Sequence, residues 1–336
     1  MVFPQLVREM VGDARVVAIG EGAHNITEFY DLKHQLLREL GFPAFVMESG
    51  FPEGLDVDAW IHGAPGRVED VARDGITYRF GECEPMRRQL DWMRSAKVAF
   101  YGMDLPGSST SPGPAVRAIA RRMPVAAELL RLSDLGGRTE AAIRFEAMPP
   151  DERALLVEGL AGLAERADPH DDPVVRRCGA SLRAFVAELD VPEAGPYPRD
   201  VFMADTVRWV LEREERVVVS AHNAHVQRTP FEGRPTMGCL LDAALGEEMV
   251  VIGMTYGSGP EVRFTQRSPR PFDCDVELVE HVVEPGSLEE RMDRLDLPVA
   301  ALALGGEPYD AVVHVRHATR IPGAFERLRA EFEENR

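Results

Sequence analysis

The segment VVAIGEGAHN, residues 16–25, sets a carboxylate and an imidazole, Glu21 and His24, three positions apart at the exit of an apolar run. A carboxylate beside an imidazole fixes its tautomer and raises its basicity, which a general base working near neutral pH requires. Other titratable groups recur in the same setting. Glu48 closes AFVME, Asp104 follows VAFYG in YGMD, and RVVVSA leads into AHNAH, which holds His222, Asn223 and His225. Paired histidines from a distant segment suit the binding or polarisation of a substrate oxygen. Each residue alone has a plainer reading: His24 as a turn residue before a helix, Glu48 as a buried partner for an arginine, His222 and Asn223 as turn formers. Their joint occurrence at the ends of apolar runs favours a shared site.

Lys33 adds a second signal. Only it and Lys97 are lysines among the 38 basic residues. It falls at the centre of the apolar stripe formed by Phe29, Tyr30, Leu36, Leu37 and Leu40 in the helical pattern 27–40. An ammonium there must snorkel or meet a carboxylate. Helical side chains lean toward the N-terminus, which brings Glu21 or Glu48 within reach.

The elements that must position these groups are legible as an alternation. Short runs rich in β-branched residues predict strands at 15–20, 44–48, 98–102, 216–221, 249–253 and 311–315, with helix-length segments at 27–40, 53–62, 83–96 and 199–214. Continuous apolar runs suit strands buried on both faces, so the expected fold is α/β: a mostly parallel central sheet flanked by helices. Such sheets bind ligands beyond the carboxyl ends of their strands, where the groups above fall. Residues 1–112 and 199–336 are expected to build this core. Residues 113–198 read as a helical insertion or cap, flanked by the loop-forming PGSSTSPGP and PEAGPYP. A cap is a natural cover for a small-molecule site; extra packing helices are the plainer alternative.

Several classes are excluded or disfavoured. The formal net charge of −18 and the lack of a basic run argue against nucleic acid as a partner. No stretch approaches the 18 apolar residues expected of a membrane span, and the N-terminus lacks the pattern of a secretory leader. The four cysteines show no CxxC spacing. A cytoplasmic protein is expected. GEGAHN has Asn25 where a dinucleotide fingerprint needs its third glycine, and no GxSxG elbow occurs, which leaves Ser220 a poor nucleophile. The HxxH pair in HNAH, with Glu21, His24 and Glu48, could supply metal ligands, but it is a loose signal outside an HExxH helix.

GEGAHNITEFYDLKHQLLRELGF, VMESGFPEG, FYGMDLP, RDVFMADTVRWVLE and VVVSAHNAHVQR together resemble the erythromycin esterase family, which includes succinoglycan biosynthesis homologues. The resemblance implies an α/β fold with a helical cap, and hydrolysis of a macrolide or other natural-product lactone without a covalent intermediate, cofactor or required metal. It implies that His24 activates water, with Glu21 and Glu48 as the acidic residues of the site. His222, His225, Lys33, Asn223, Asp104 and Arg199 would serve substrate binding. Lys33 stands where the macrolide esterases resemble an arginine; it keeps the charge and loses the planar fork. Two other readings use the same residues: a biosynthetic tailoring enzyme performing elimination or cyclisation, and a protein that sequesters its ligand without turnover.

Overall fold

The computed structural model describes residues 3–334 except 269 and 271. Nine strands are present among them: β1 (Val16–Ile19), β2 (Ala44–Gly50), β3 (Ala99–Asp104), β4 (Val217–Ser220), β5 (Met249–Ser258), β6 (Pro260–Gln266), β7 (Cys274–Glu280), β8 (Val299–Ala303) and β9 (Ala311–His317). Seven form the central sheet in the order β3-β2-β4-β1-β5-β9-β8. All neighbours pair in parallel except β8, which runs antiparallel to β9 at the edge. The fold is thus the expected mostly parallel sheet with helices on both faces.

The apolar runs follow from this double coverage. Val17, Ile19, Phe45, Met47, Val218 and Ile252 pack into one core, while Val16, Ala18, Val46, Val217, Val219 and Val251 pack into the other. Strand side chains alternate between faces, so a strand covered on both sides must be apolar at every position. The six strands expected from sequence all occur, but β5 continues to Ser258, so MTYGS belongs to the strand and not to the turn after it. The edge strand β8 and the separate antiparallel hairpin β6–β7 add to the expected set.

Residues 113–198 are helical, with helices Gly113–Ala120, Ala127–Ser133, Arg138–Ala147, Pro150–Ala167 and Pro173–Glu188. Their apolar faces share a third core in which Leu156, Leu160, Leu163, Leu182 and Phe185 meet Phe51 and Phe202. Among the described residues, no helix is long and apolar enough to cross a membrane.

One irregularity bears directly on the site. The pairing of β2 with β3 shifts between Met47 and Gly50, so Glu48 and Ser49 lie in a bulge. Bulges re-aim side chains at strand ends. The close approach depends on Gly102 of β3, where a Cβ would stand 2.2 Å from the carbonyl oxygen of Gly50 and 2.7 Å from that of Ser49. Gly102→Ala is therefore expected to cost roughly 2 kcal/mol, as overpacking of a tight core does, and to lower activity by displacing Glu48. Urea denaturation and a rate assay on the same preparation check both.

Candidate active site

The carboxyl ends of β1, β2 and β4 converge on one cavity of about 580 Å³, whose wall includes His24, Glu48, Arg199, His222 and His225. The turn after β1 starts at Gly20, where a Cβ would collide with the Asn223 side chain at 2.1 Å. It ends at Asn25, which holds a left-handed φ of 61°, a conformation that asparagine tolerates better than most residues. The segment after β9 clamps this turn: Ile321 N–H donates to the Asn25 carbonyl and Thr27 N–H to that of Thr319, both at 2.8 Å.

Glu21 bridges the His24 imidazole and the Lys33 ammonium. One carboxylate oxygen lies 2.7 Å from His24 Nδ1, and the other pairs with the Lys33 ammonium, both members of that ion pair being buried. Burial alone would raise the Glu21 pKa, but Lys33 and His24 outweigh it and hold the carboxyl at about 2. An ionised carboxylate can only accept, so the proton at this contact belongs to His24 Nδ1. Neutral His24 then carries its lone pair on Nε2. Lys33 thus meets a carboxylate and does not snorkel.

Glu48 anchors the second half. Arg199 Nη2 donates to its Oε1 at 2.9 Å, and the His222 backbone N–H donates to its Oε2 at 2.8 Å. His225 Nε2 stands 3.6 Å from Oε1. Burial raises the Glu48 pKa, but His225 and Arg199 outweigh it, for a net value of about 2. Arg199 also forks onto Asp104, with Nε at 2.9 Å and Nη2 at 2.7 Å, and donates to the Tyr78 hydroxyl at 3.0 Å.

The three site histidines differ in proton placement. His222 Nδ1 accepts from the Ala224 N–H at 3.1 Å, capping the short helix Asn223–Val226. Its neutral form therefore carries the proton on Nε2. Burial, reinforced by nearby His24, lowers its pKa to about 4, which keeps it neutral at pH 7. His225 Nδ1 lies 2.9 Å from Asp200, whose carboxylate makes it a donor there. Burial opposes charging of His225, but Asp200 and Glu48 raise its pKa overall. The His24 and His222 rings have centroids 5.1 Å apart. Two imidazoles of opposite tautomer, one an acceptor and one a donor, therefore stand side by side.

The sequence-derived residues divide into two layers. His24, Glu48, Arg199, His222 and His225 reach the cavity. Glu21, Lys33, Asp104 and Asn223 stand behind it. Asp104 is fully buried, and its oxygens receive Arg199 and the Leu105 N–H. The Asn223 amide spends both ends on the Met254 backbone of β5, donating at 2.9 Å and accepting at 3.3 Å. Substrate contact expected for Lys33, Asp104 and Asn223 is replaced by support of the groups in front. The helical stretch 113–198 contributes Arg138 to the cavity; hairpin β6–β7 and the C-terminal helix Ala324–Glu334 close the wall instead.

Residues that sequence reasoning missed include Tyr78, Phe80, Asp200, His281 and Arg320. Tyr78 and Arg79 both hold left-handed φ near 57° without being glycine; backbone strain of this kind clusters at functional sites. Their loop is pinned by Thr77, whose N–H donates to Ser49 Oγ at 2.9 Å and whose hydroxyl lies 2.6 Å from that of Ser108. Phe80 packs against His24 with ring centroids 5.0 Å apart and planes tilted by 43°. Asp200 follows Arg199 in the motif already singled out and is the one legible omission. Among the described residues, no group of three or more histidine, cysteine, aspartate or glutamate side chains is arranged to hold a metal ion. The site carboxylates already serve Lys33, Arg199, His24 and His225.

A cleft at the carboxyl ends of the strands with a carboxylate-oriented histidine suits acid–base chemistry, and comparison with known proteins narrows the class. The sequence profile described as Erythromycin esterase matches residues 37–335, so the chain belongs to the erythromycin esterase family, a family of ester hydrolases. Glu21, His24 and Lys33 lie ahead of the matched range. The chain is 27% identical to erythromycin esterase type II of Escherichia coli over 75% of its own length and 71% of the relative's. It is 21% identical to erythromycin esterase type I of the same organism over 91% and 86%. Among solved structures, a succinoglycan biosynthesis protein superposes with a TM-score of 0.74 at 16% identity, over 94% of this chain and 91% of that one. A histidine-to-asparagine mutant of the erythromycin esterase EreC, in its open conformation, superposes at 0.70 and 20% identity, over 94% of each chain.

Lys33→Met leaves Glu21 buried without its cation. The Glu21 pKa should rise, and the fold should lose about 3 kcal/mol, as broken buried ion pairs do. Because folding depresses this pKa from 4.5 to about 2, the stabilisation is complete above pH 4.5 and disappears as pH falls toward 2. The wild-type advantage over the variant should shrink across that window, measured by urea denaturation at several pH values.

Proposed function

We propose that the protein hydrolyses a lactone or complex ester by direct attack of water, with His24 as general base. The observation that carries this reading is the pairing of complementary tautomers across one cavity. Glu21, held ionised by Lys33, keeps the His24 proton on Nδ1 and leaves Nε2 to take a proton from water. Neutral His222 offers an Nε2 proton donor to the ester carbonyl, and the negative charge that develops on that oxygen would draw closer to it in the transition state. Arg199, fixed by Asp104 and Glu48, and His225, held by Asp200, present further N–H groups on the cavity wall.

The cycle closes without a covalent enzyme intermediate. Water loses a proton to His24 Nε2 as its oxygen bonds to the carbonyl carbon. The tetrahedral intermediate then expels the alkoxide, and protonated His24 returns the proton to it. The products are a carboxylic acid and an alcohol. Macrolides and related natural-product lactones are the first substrates to try, since the two relatives named above are erythromycin esterases. A mass-spectrometric screen in ¹⁸O-water tests the reading: one labelled oxygen should enter the acid. Loss of water from the substrate, or product without label, would replace hydrolysis by elimination.

His24→Asn should lower kcat by about 10²–10⁴, the range of general-base catalysis, with little change in unfolding midpoint because this side chain lies on the cavity wall. A variant retaining near-wild-type kcat would place the base elsewhere. Activity should also survive EDTA; its loss, with recovery on adding one equivalent of a divalent ion, would change the mechanism to Lewis-acid hydrolysis.

A further inference from the structure

One part of the cavity wall plays no role in this chemistry. Arg79, Arg138, Arg320 and Arg327 all line it, in a chain whose formal charge is −18. Two buried or half-buried carboxylates gather three of them from behind. Glu331 lies 3.4 Å from Arg79 Nε and 3.2 Å from Arg138 Nε, and Glu82 lies 3.7 Å from Arg79 Nη1 and 3.5 Å from Arg327 Nε. Neither carboxylate is on the cavity wall. The guanidiniums thus outnumber the acidic groups behind them, and they line the cavity where those groups do not.

Arg320 is the least compensated. Its Nη1 donates to the His24 carbonyl at 3.0 Å, and its buried Nε has no acceptor. Among the described residues, no carboxylate lies within ion-pair distance of it. Burial lowers its pKa, against the pull of Tyr256 and Glu326. Arg138 is lowered too, by burial first and then by Arg79, against the pull of Glu331. Glu261, the remaining carboxylate on the cavity besides Glu48, is engaged 3.0 Å away by His281 Nδ1. On the cavity lining of this wall, four guanidiniums stand against that one carboxylate.

From this arrangement we propose that the substrate carries an anionic group, a carboxylate or a phosphate, received by Arg138 and Arg320 with Arg79 and Arg327 beside them. Guanidiniums match the paired oxygens of such groups, and partial enclosure protects the attraction from screening. Arg320 bonds to the backbone of the proposed base, which sets the anion on the same side of the cavity as the reacting ester. The inference rests on the hydrolase reading for where the ester lies, but its test does not require turnover.

The probes are three non-hydrolysable anilides of one length: glutaranilic acid, its phosphonate analogue, and neutral valeranilide. Calorimetric titration of the wild-type protein should show at least one of the two anions binding about tenfold or more tighter than the neutral anilide, the size expected when charged hydrogen bonds are added. The preference should shrink between roughly 50 and 500 mM salt, as an incompletely enclosed electrostatic contact does. It should also shrink in Arg320→Gln, and in Arg138→Gln, each with its unfolding midpoint recorded so that a misfolded variant is recognised; Arg138→Lys should recover part of it. Equal affinity of all three probes for the wild-type protein, or no binding of either anion, overturns the proposal. Failure of every ester to turn over, with the preference intact, overturns the hydrolase reading and leaves this one standing.

Discussion

The buried ion pair between Lys33 and Glu21 sets the state of everything in front of it. Removing an ammonium and a carboxylate from water together is tolerated only when each satisfies the other. Here the second carboxylate oxygen is also used, by His24, so the pair does more than neutralise itself. Without Lys33, burial would push Glu21 toward its protonated form, and a protonated carboxyl no longer dictates which imidazole nitrogen holds the proton. The lysine acts on the imidazole through Glu21 alone. That explains why an ammonium occupies the middle of an apolar helix face, the costliest position the helix offers.

A second network handles the other half of the site by the same principle. Asp104 and Glu48 share the Arg199 guanidinium, and Glu48 spends its remaining oxygen on the His222 backbone. The strand ends therefore deliver carboxylates that are already committed. Their work is to hold Arg199, His222 and His225 at fixed positions, and the groups that line the cavity beside Glu48 are imidazoles and a guanidinium. A rim of mixed carboxylates and imidazoles read from sequence becomes, in three dimensions, a cleft lined by imidazoles and Glu48, with Glu21 and Asp104 behind.

What can be read from the sequence follows the physics of each signal. Strands buried on both faces announce themselves as unbroken apolar runs, and β1 to β5 and β9 are legible that way. β8, with the sequence VAALA, is an alanine-rich edge strand indistinguishable from a helical fragment by periodicity. In β6, PEVRFTQ, and β7, CDVELVE, few residues are buried, and the pair forms its own small sheet, so no buried run marks it. Lys33 is legible because a charge interrupts an apolar stripe. Tyr78, Arg138 and Arg320 are not, because each sits in or beside a loop far from the others in sequence, and only tertiary packing brings them to one wall. The split of the rim groups into cavity and support is also hidden. Whether Asn223 faces a ligand or the β5 backbone depends on a contact across the sheet.

The two origins of these residues separate two tasks. The acid–base groups hang from parallel strands whose register is fixed by burial on both faces, and a one-residue slip would turn Glu48 or Val219 to the wrong side. The arginine wall comes from the loop after Ile76, the start of the helix Arg138–Ala147, the turn after β9 and the C-terminal helix, none of which belongs to the sheet. Changes there can reshape which molecule is held without disturbing the tautomers of His24 and His222. Two couplings remain: Arg320 donates to the His24 carbonyl, and Phe80, beside Arg79, packs against the His24 ring. Occupation of the wall and placement of the imidazole are joined at Arg320 and, through the neighbour of Arg79, at Phe80, so a bound anion would bear on the same turn on which the proposed chemistry depends.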